Sequence, residues 1–390
     1  MTNPIQKKTV FVWSPFTSKV GTTQNIINNS YSLIKYSAHN QFYIKIINAF
    51  GEWDNYSNEI ESKKIELYNF KFLRFIKNWK KVGFIKSRLS YLMIFIFSFI
   101  PLFSLIKNKK PNFLIIHLIT SLPLIMFSFF RFKTKLILHI AGHPKLNFIR
   151  KIILRFASKK IFKVICPSYE LKSILIQNDI FKDEQITVIE DSHLEVKKVQ
   201  YLKRVKLEDD FFKDKKILIA IGRMTKQKDY SFLIKNFKKL STNYNDIKLL
   251  IIGDGEEKMF LKNLIKKLDI ENKVKLMNYK SNIYKYLNRS NFYISTSIWE
   301  GSSLAMIDAA YIGIPILCSD CPSGRKEFIG KDERGFLYKQ GDDEDFLKKF
   351  SLMYAKKPQE IKNIILNAKK KTKKFTMFKN FLKYQTLLKY

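Results

Sequence analysis

Two acids, Glu300 and Asp308, stand eight apart in Ser297-Ile-Trp-Glu300-Gly-Ser-Ser-Leu304-Ala-Met-Ile-Asp308. A Gly-Ser-Ser turn separates them, and an apolar run of helical length follows. A helix beginning near Ser303 sets Glu300 in the loop above its N-terminus and Asp308 on its second turn. The backbone N–H groups of Ser302, Ser303 and Leu304 then face whatever Glu300 faces, because the first turn of a helix leaves its amides unpaired. An acid for hydroxyls and amides for phosphate oxygens make a holder for a sugar phosphate. The plainer alternative is a capped amphipathic helix with surface acids. Upstream, Gly222-Arg223-Met-Thr-Lys-Gln-Lys228 follows an apolar run and precedes a helical one. Its glycine permits a tight turn, and its two cations fall where a phosphate would meet a helix N-terminus. Alone, such a turn is common. Gly253-Asp-Gly255 is a second strand-to-helix turn that lacks the third glycine of a dinucleotide fingerprint, which argues against redox chemistry.

These loops need strands and helices to hold them. Ile217–Ile221, Lys248–Ile252, Lys273–Met277, Phe292–Thr296 and Pro315–Cys318 read as strands, with helices at Asp229–Leu240, Glu256–Leu268 and Leu304–Tyr311 between them. The first half repeats the pattern. Thr9–Trp13, Phe42–Ile47, Pro111–Leu118, Lys135–Ile140 and Ile161–Cys166 are apolar runs of strand length separated by helical stretches. Strands alternating with helices predict parallel sheets wrapped on both faces. A polar, charged segment, Lys197–Lys216, separates the two series.

The chain has 390 residues, 46% of them hydrophobic, enough for two domains with cores of their own. Lys and Arg number 71 against 34 Asp and Glu, a formal charge of +37. A charge that large calls for an anionic partner: nucleic acid, an anionic membrane surface or a phosphorylated small molecule. Three cysteines, Cys166, Cys318 and Cys321, make no disulfide framework and point to a reducing compartment. Cys318 and Cys321 have C-x-x-C spacing without a second pair to complete a zinc site, and read as strand-end packing. The polar N-terminus lacks the order of a signal peptide. Leu89–Ile106 and Phe113–Phe130 carry no Lys, Arg, Asp or Glu and reach the ~18-residue length of a membrane span. Pro101 and Pro123 interrupt them, and the second changes character at Ser121-Leu-Pro123. We therefore expect a hydrophobic helix, then a buried strand, a loop and a new helix, ahead of the alternative of a membrane hairpin over Leu89–Phe130.

The ordered motifs resemble those of retaining GT-B glycosyltransferases of the "group 1" type, family 4. They are Gly222-Arg223…Lys228, Gly253-Asp-Gly255, Ser297-Ile-Trp-Glu300…Asp308, Gly313-Ile-Pro315 and Gly335-Phe-Leu337, with Ser319-Asp-Cys-Pro-Ser-Gly324-Arg-Lys-Glu327 resembling a segment of many bacterial members. Three positions depart from the family pattern. Asp308 replaces a Glu, Gly324-Arg325 replaces Gly-Pro, and the usually glycine-rich N-terminal loop holds a single glycine, Gly21. The resemblance implies two Rossmann-like parallel-sheet domains facing across a cleft: an acceptor-binding domain over 1–200, a nucleotide-sugar-binding domain over 201–372, and a C-terminal helix over 373–390 packing back on the first.

The resemblance also implies roles. Arg223 and Lys228 neutralise the donor diphosphate, Glu300 holds the transferred sugar, and the Ser302, Ser303 and Leu304 backbone binds sugar and phosphate oxygens. Asp308 takes the ribose hydroxyls. Tyr279 and Lys280, at the end of Met277–Lys280, line the base; Gly222 and Gly253 form the turns. Gly21 lets the first loop approach the diphosphate. His143, with His139 as the fallback, contacts sugar or acceptor, although packed histidines are the commoner outcome. A diphosphate held by two cations can leave while the acceptor hydroxyl attacks from the same face and a phosphate oxygen takes its proton. The expected donor is a nucleotide-diphosphate sugar, UDP-linked, and no cofactor or metal is called for. Asp343-Glu-Asp345 has metal-binding spacing but reads as a helix N-terminus.

Tyr68–Arg88 interleaves Lys71, Arg74, Lys77, Lys80, Lys81 and Lys86 with Phe72, Phe75, Trp79 and Phe84. Such a segment suits an anionic membrane surface; a solvated basic helix with packed aromatics fits the periodicity equally. No nucleic-acid-binding motif accompanies it. The expectation is a peripheral enzyme on the cytoplasmic membrane face, glycosylating a lipid-linked, lipopolysaccharide or polysaccharide acceptor. The alternative is an inactive basic protein that binds membrane or nucleic acid.

Overall fold

The computed structural model describes residues 7–16, 22–38, 41–70, 84–117, 122–142, 144, 146–300, 303–322 and 324–389, with side chains from 92 onward in the segment that begins at 84. The chain divides into two compact units, Met1–His193 with Met377–Tyr390, and Leu194–Thr376.

The first unit is a parallel sheet of seven strands: β1 (Lys8–Trp13), β2 (Phe42–Asn48), β3 (Glu66–Asn69), β4 (Phe113–Ile116), β5 (Lys135–His139), β6 (Ile161–Cys166) and β7 (Ile186–Val188). Their order is β3-β2-β1-β4-β5-β6-β7. The central strands are near-continuous apolar runs because helices cover both faces, so Val10–Trp13 and Phe113–Ile116 are buried throughout. The edge strands β3 and β7 escape the sequence reading. They have four and three residues, too short to show a period, and β3 keeps Glu66 and Asn69 exposed.

Between β2 and β4 the long apolar run is one helix, Phe84–Lys109. It continues through Pro101 rather than stopping there. Ile94, Ser98, Leu102 and Leu105 form a stripe buried in the first unit's core, while Leu92, Ile96 and Ile100 stay exposed. A proline inside a helix costs ~3 kcal/mol, which the buried Leu102, Leu105 and Ile106 offset. Leu92–Lys109 is long and apolar enough to cross a membrane by length and composition alone. The second apolar run becomes β4 followed by the helix Leu122–Phe129, as its change of character predicts.

The helix Met377–Leu387 belongs to the first unit and packs on the helix Thr22–Tyr36. Phe378 meets Tyr36 edge to face, Ser32 Oγ donates to Asn380 Oδ1 (3.0 Å), and Asn380 Nδ2 donates to the Glu190 carbonyl (3.1 Å).

The second unit is a parallel sheet of six strands: β8 (Lys216–Ile221), β9 (Ile247–Ile252), β10 (Val274–Met277), β11 (Phe292–Ser295), β12 (Ile316–Asp320) and β13 (Phe336–Lys339), in the order β10-β9-β8-β11-β12-β13. The charged segment before β8 contains a helix, Val196–Leu202. Leu194 pairs with Thr376, so the passages entering and leaving this unit run side by side. Cys318 and Cys321 are buried thiols, and burial pushes Cys318 up to about 12, which keeps it an inert packing residue.

Candidate functional site

In the second sheet the chain leaves β8 to build β9 and β10 on one side, then returns to place β11 on the other side of β8. The loops after β8 and β11 therefore diverge at a topological switch point, where open α/β sheets leave a crevice at their carboxyl ends. Gly222–Lys228 is the first of these loops, and Thr296–Glu300 opens the second.

The two loops are stitched together. Ile298 N donates to the Gln227 carbonyl (2.9 Å), Gln227 Nε2 donates to the Trp299 carbonyl (2.8 Å), and Thr296 Oγ1 donates to the carbonyls of Lys228 and Asp229 (2.9 and 3.0 Å). Asp229 turns the chain with φ of 47°, a left-handed conformation that Asp tolerates. Its side chain accepts from Phe232 N (3.2 Å), capping the helix Tyr230–Asn243.

Lys228 Nζ pairs with Glu300 Oε1, the lysine side chain being 19% exposed and the glutamate 8%. Gly222 makes room for this pair: a Cβ there would sit 2.8 Å from Lys228 Cε and 3.0 Å from Tyr230 Oη. The Tyr230 phenol is held up by burial and by the Glu300 charge. Gly253 has a different reason, since its Cβ would fall 1.9 Å from the Gly222 carbonyl oxygen. The turns after β8 and β9 thus touch backbone to backbone. The turn after β10 joins them, for Tyr279 N donates to Asp254 Oδ2 (2.8 Å). That bond, with Lys258 beside it, holds the Asp254 carboxyl low.

Glu300 Oε1 also accepts from Ser297 Oγ (2.7 Å) and Arg325 Nη2 (3.2 Å). Among the described residues Oε2 accepts no hydrogen bond, so it is the oxygen left to face a ligand. Ser303 precedes the helix Leu304–Ile312, and its Oγ accepts from Arg325 Nε (2.9 Å). Asp308 lies on that helix as the spacing predicts, but it is buried rather than a surface acid, and its Oδ1 accepts from Tyr284 Oη (3.0 Å). Burial and the Asp308 charge hold the Tyr284 phenol protonated.

The structure thus brings Gly222, Lys228, Gly253, Glu300, Ser303 and Leu304 to one end of one sheet. Arg223 is exposed on the same turn and, among the described residues, makes no ion pair. Tyr279 is exposed and Lys280 half-buried at the end of β10. Gly21, His143 and Ser302 lie outside the described residues, as does most of the basic-aromatic segment. His139 ends β5 in the first unit, buried, its ring 4.5 Å from that of His117. Asp342 caps the helix Asp343–Ala355 by accepting from Asp345 N (3.0 Å), and Asp343 pairs with Lys239 at 2.6 Å. Sequence reasoning missed Arg325, which it treated only as a departure in a turn. A lone arginine beside Lys326 carries no mark of burial, although its four partner residues, Ser295, Ser303, Ser319 and Glu300, lie in or beside the motifs.

Residues 204–371 match the family described as glycosyl transferases group 1. An uncharacterized glycosyltransferase of Methanocaldococcus jannaschii is 30% identical over 293 residues, 68% of this chain and 72% of that protein. The N-acetylgalactosamine-N,N'-diacetylbacillosaminyl-diphospho-undecaprenol 4-alpha-N-acetylgalactosaminyltransferase of Campylobacter jejuni is 28% identical over 213 residues, 53% of this chain and 56% of that protein. The crystal structure of a glycosyltransferase from Rickettsia africae shares the fold, with a TM-score of 0.77 at 17% identity over 98% of each chain. Two Rossmann-like parallel sheets, the group 1 match and the archaeal relative together place the chain in the glycosyl transferases group 1 family, as a glycosyltransferase of GT-B fold.

Proposed function

We propose that the protein is a retaining, family 4 enzyme that moves a hexose or N-acetylhexosamine from a UDP-linked sugar to a lipid-linked, lipopolysaccharide or polysaccharide acceptor. The observation that carries this reading is the Lys228–Glu300 pair at the switch point between β8 and β11. A cation and a carboxylate held side by side suit a sugar diphosphate. Lys228, with Arg223 on the same turn, takes the charge that grows as the diphosphate leaves. Glu300 orients the sugar through Oε2, and the start of the helix at Leu304 offers amides to phosphate oxygens. Asp308 meets the ribose, with Tyr284 setting its orientation. The acceptor hydroxyl attacks from the face the diphosphate leaves, a phosphate oxygen takes its proton, and the anomeric configuration is kept. Lysine and arginine supply the charge, so the reaction runs without a metal.

A lipid-linked acceptor has support in the Campylobacter relative, which is named for a saccharide carried on diphospho-undecaprenol. A place on the cytoplasmic membrane face has support in the first unit. Phe129, Phe130, Phe148, Ile149, Ile152 and Phe156 are exposed large apolar residues, with the Phe129 and Phe156 rings 6.0 Å apart. Arg131, Lys133, Arg155 and Lys159 are exposed around them. An apolar patch ringed by bases fits an anionic bilayer surface.

A screen of nucleotide sugars for hydrolysis, and for transfer to a diphospho-polyprenol, tests the chemistry. Turnover of a UDP-sugar is expected; failure with every nucleotide sugar sinks the reading. Co-sedimentation with anionic vesicles tests the location. Phe148→Ser with Ile149→Ser should release the protein, and unchanged binding would count against this patch.

A further inference from the structure

Arg325 is the most deeply buried charge of the described site, its side chain 0% exposed. Its guanidinium uses every nitrogen. Nε donates to Ser303 Oγ (2.9 Å), Nη1 to the Ser319 carbonyl (3.2 Å) and Oγ (2.8 Å), and Nη2 to Ser295 Oγ (2.8 Å) and Glu300 Oε1 (3.2 Å). One side chain thereby links the ends of β11 and β12, the start of the helix Leu304–Ile312 and the acid of the site. The turn itself does not demand arginine: Arg325 is the first residue of a short helix, a position proline also fills well.

Glu300 therefore has two cationic partners of different character. Arg325 is held by four further hydrogen bonds to Ser295, Ser303 and Ser319, whereas Lys228 reaches the carboxylate on a flexible stem that is partly open to solvent. A carboxylate as buried as Glu300 is costly to leave without a cation. With Lys228 as the sole partner, drawing the lysine to a diphosphate would strand the acid.

We infer that Arg325 is a positioning residue that holds Glu300 in place of Lys228, so that Lys228 is free to move to the donor diphosphate. This rests on the transferase reading of the site. With the pair and the guanidinium together the site carries one positive charge in excess, which complements a diphosphate. Removing Arg325 forces Lys228 to choose between the acid and the donor, and binding of the donor suffers before the chemistry does.

The test is UDP binding by calorimetry and steady-state kinetics on the wild type, Arg325→Met, Arg325→Lys and Lys228→Ala, each checked for folding by circular dichroism. Arg325→Met should weaken UDP binding and raise the donor KM by about tenfold or more, with a smaller fall in kcat. Arg325→Lys keeps the charge and should recover most of the affinity; it also decides the matter if the methionine variant does not fold. Lys228→Ala should lose kcat. Folded Arg325→Met with unchanged UDP affinity and KM overturns the inference while Lys228→Ala remains crippled. So does Arg325→Lys when it folds and is no better than methionine. A wild type that binds no nucleotide and turns over no nucleotide sugar overturns the transferase reading, and this inference with it.

Discussion

The two sheets share a plan and differ in what stands at their carboxyl ends. Each has a switch point, between β1 and β4 in the first unit and between β8 and β11 in the second. At the second, charge is concentrated: Lys228, Glu300 and Arg325 lie in one network, with serines taking the other guanidinium donors and Glu300 Oε2 left open. At the first, the described residues that end β1 and β4 are uncharged. His117 follows β4 and the buried His139 ends β5, their rings 4.5 Å apart and tilted, and desolvation keeps both uncharged, helped at His117 by the neighbouring imidazole. The contrast shows that a parallel sheet supplies a place, while the side chains on its loops decide which ligand the place can take. A preorganised set of charges stabilises an anion that develops during a reaction; a neutral, desolvated pair cannot.

The sharpest way to break this comparison is at the charged end. Lys228→Ala should cut turnover by a factor of about 100–1,000, or ~3–4 kcal/mol of barrier, with steady-state kinetics as the measurement. Glu300→Ala should lower turnover too and also blur the choice among donor sugars. Near-normal turnover in either folded variant would mean that the charge network is scaffolding.

A second cut goes beneath the site. Gly253→Ala puts a methyl 1.9 Å from the Gly222 carbonyl oxygen, a backbone atom that cannot step aside. Overpacking of this kind costs about 3 kcal/mol or more, read as a lower denaturant midpoint for the second unit. An unchanged midpoint would show that the two turns are not in contact.

The neutral end should respond to pH. Burial holds His139 down to about 4, against an ordinary 6.5. Between those values the unfolded chain binds a proton that the folded chain refuses, so stability falls as pH drops from 6.5 towards 4 and is unaffected by this group above 6.5. The span corresponds to about 3 kcal/mol. His139→Phe should flatten the fall in denaturation curves taken at pH 4.5 and 7.5. If the slope persists, another group accounts for it.

The smallest expected effect is from chelation. Asp343 and Asp345 are committed to Lys239 and to the Lys339 amide, and the site draws its charge from Lys228 and Arg223. Activity should be unchanged in EDTA. Turnover lost on chelation and restored by Mg²⁺ or Mn²⁺ would show that the charged end works with a divalent cation.

The central strands and the long helices were legible because burial on both faces writes a continuous apolar run, and burial on one face writes a period. The loops of the second unit were legible through residue type and order: Gly222, Lys228, Gly253, Glu300 and Asp308 mark their turns in the chain itself. The short edge strands β3 and β7 carry neither signal. That the expected helix runs on through Pro101 could not be read locally, because packing of the residues after it outweighs the cost of the proline.

By itself, the order of residues determined that there are two α/β sheets and singled out the loops that meet at the second switch point, since both follow from patterns within about twenty residues. Only the tertiary structure decided what meets what. Lys228 and Glu300 are 72 positions apart, and Glu300 and Arg325 are 25 apart; they meet because β8, β11 and β12 are neighbours in the sheet. Burial of the Arg325 guanidinium is likewise a property of that assembly. A charge leaves water only where partners from several distant segments have already been gathered, and no stretch of sequence records that gathering.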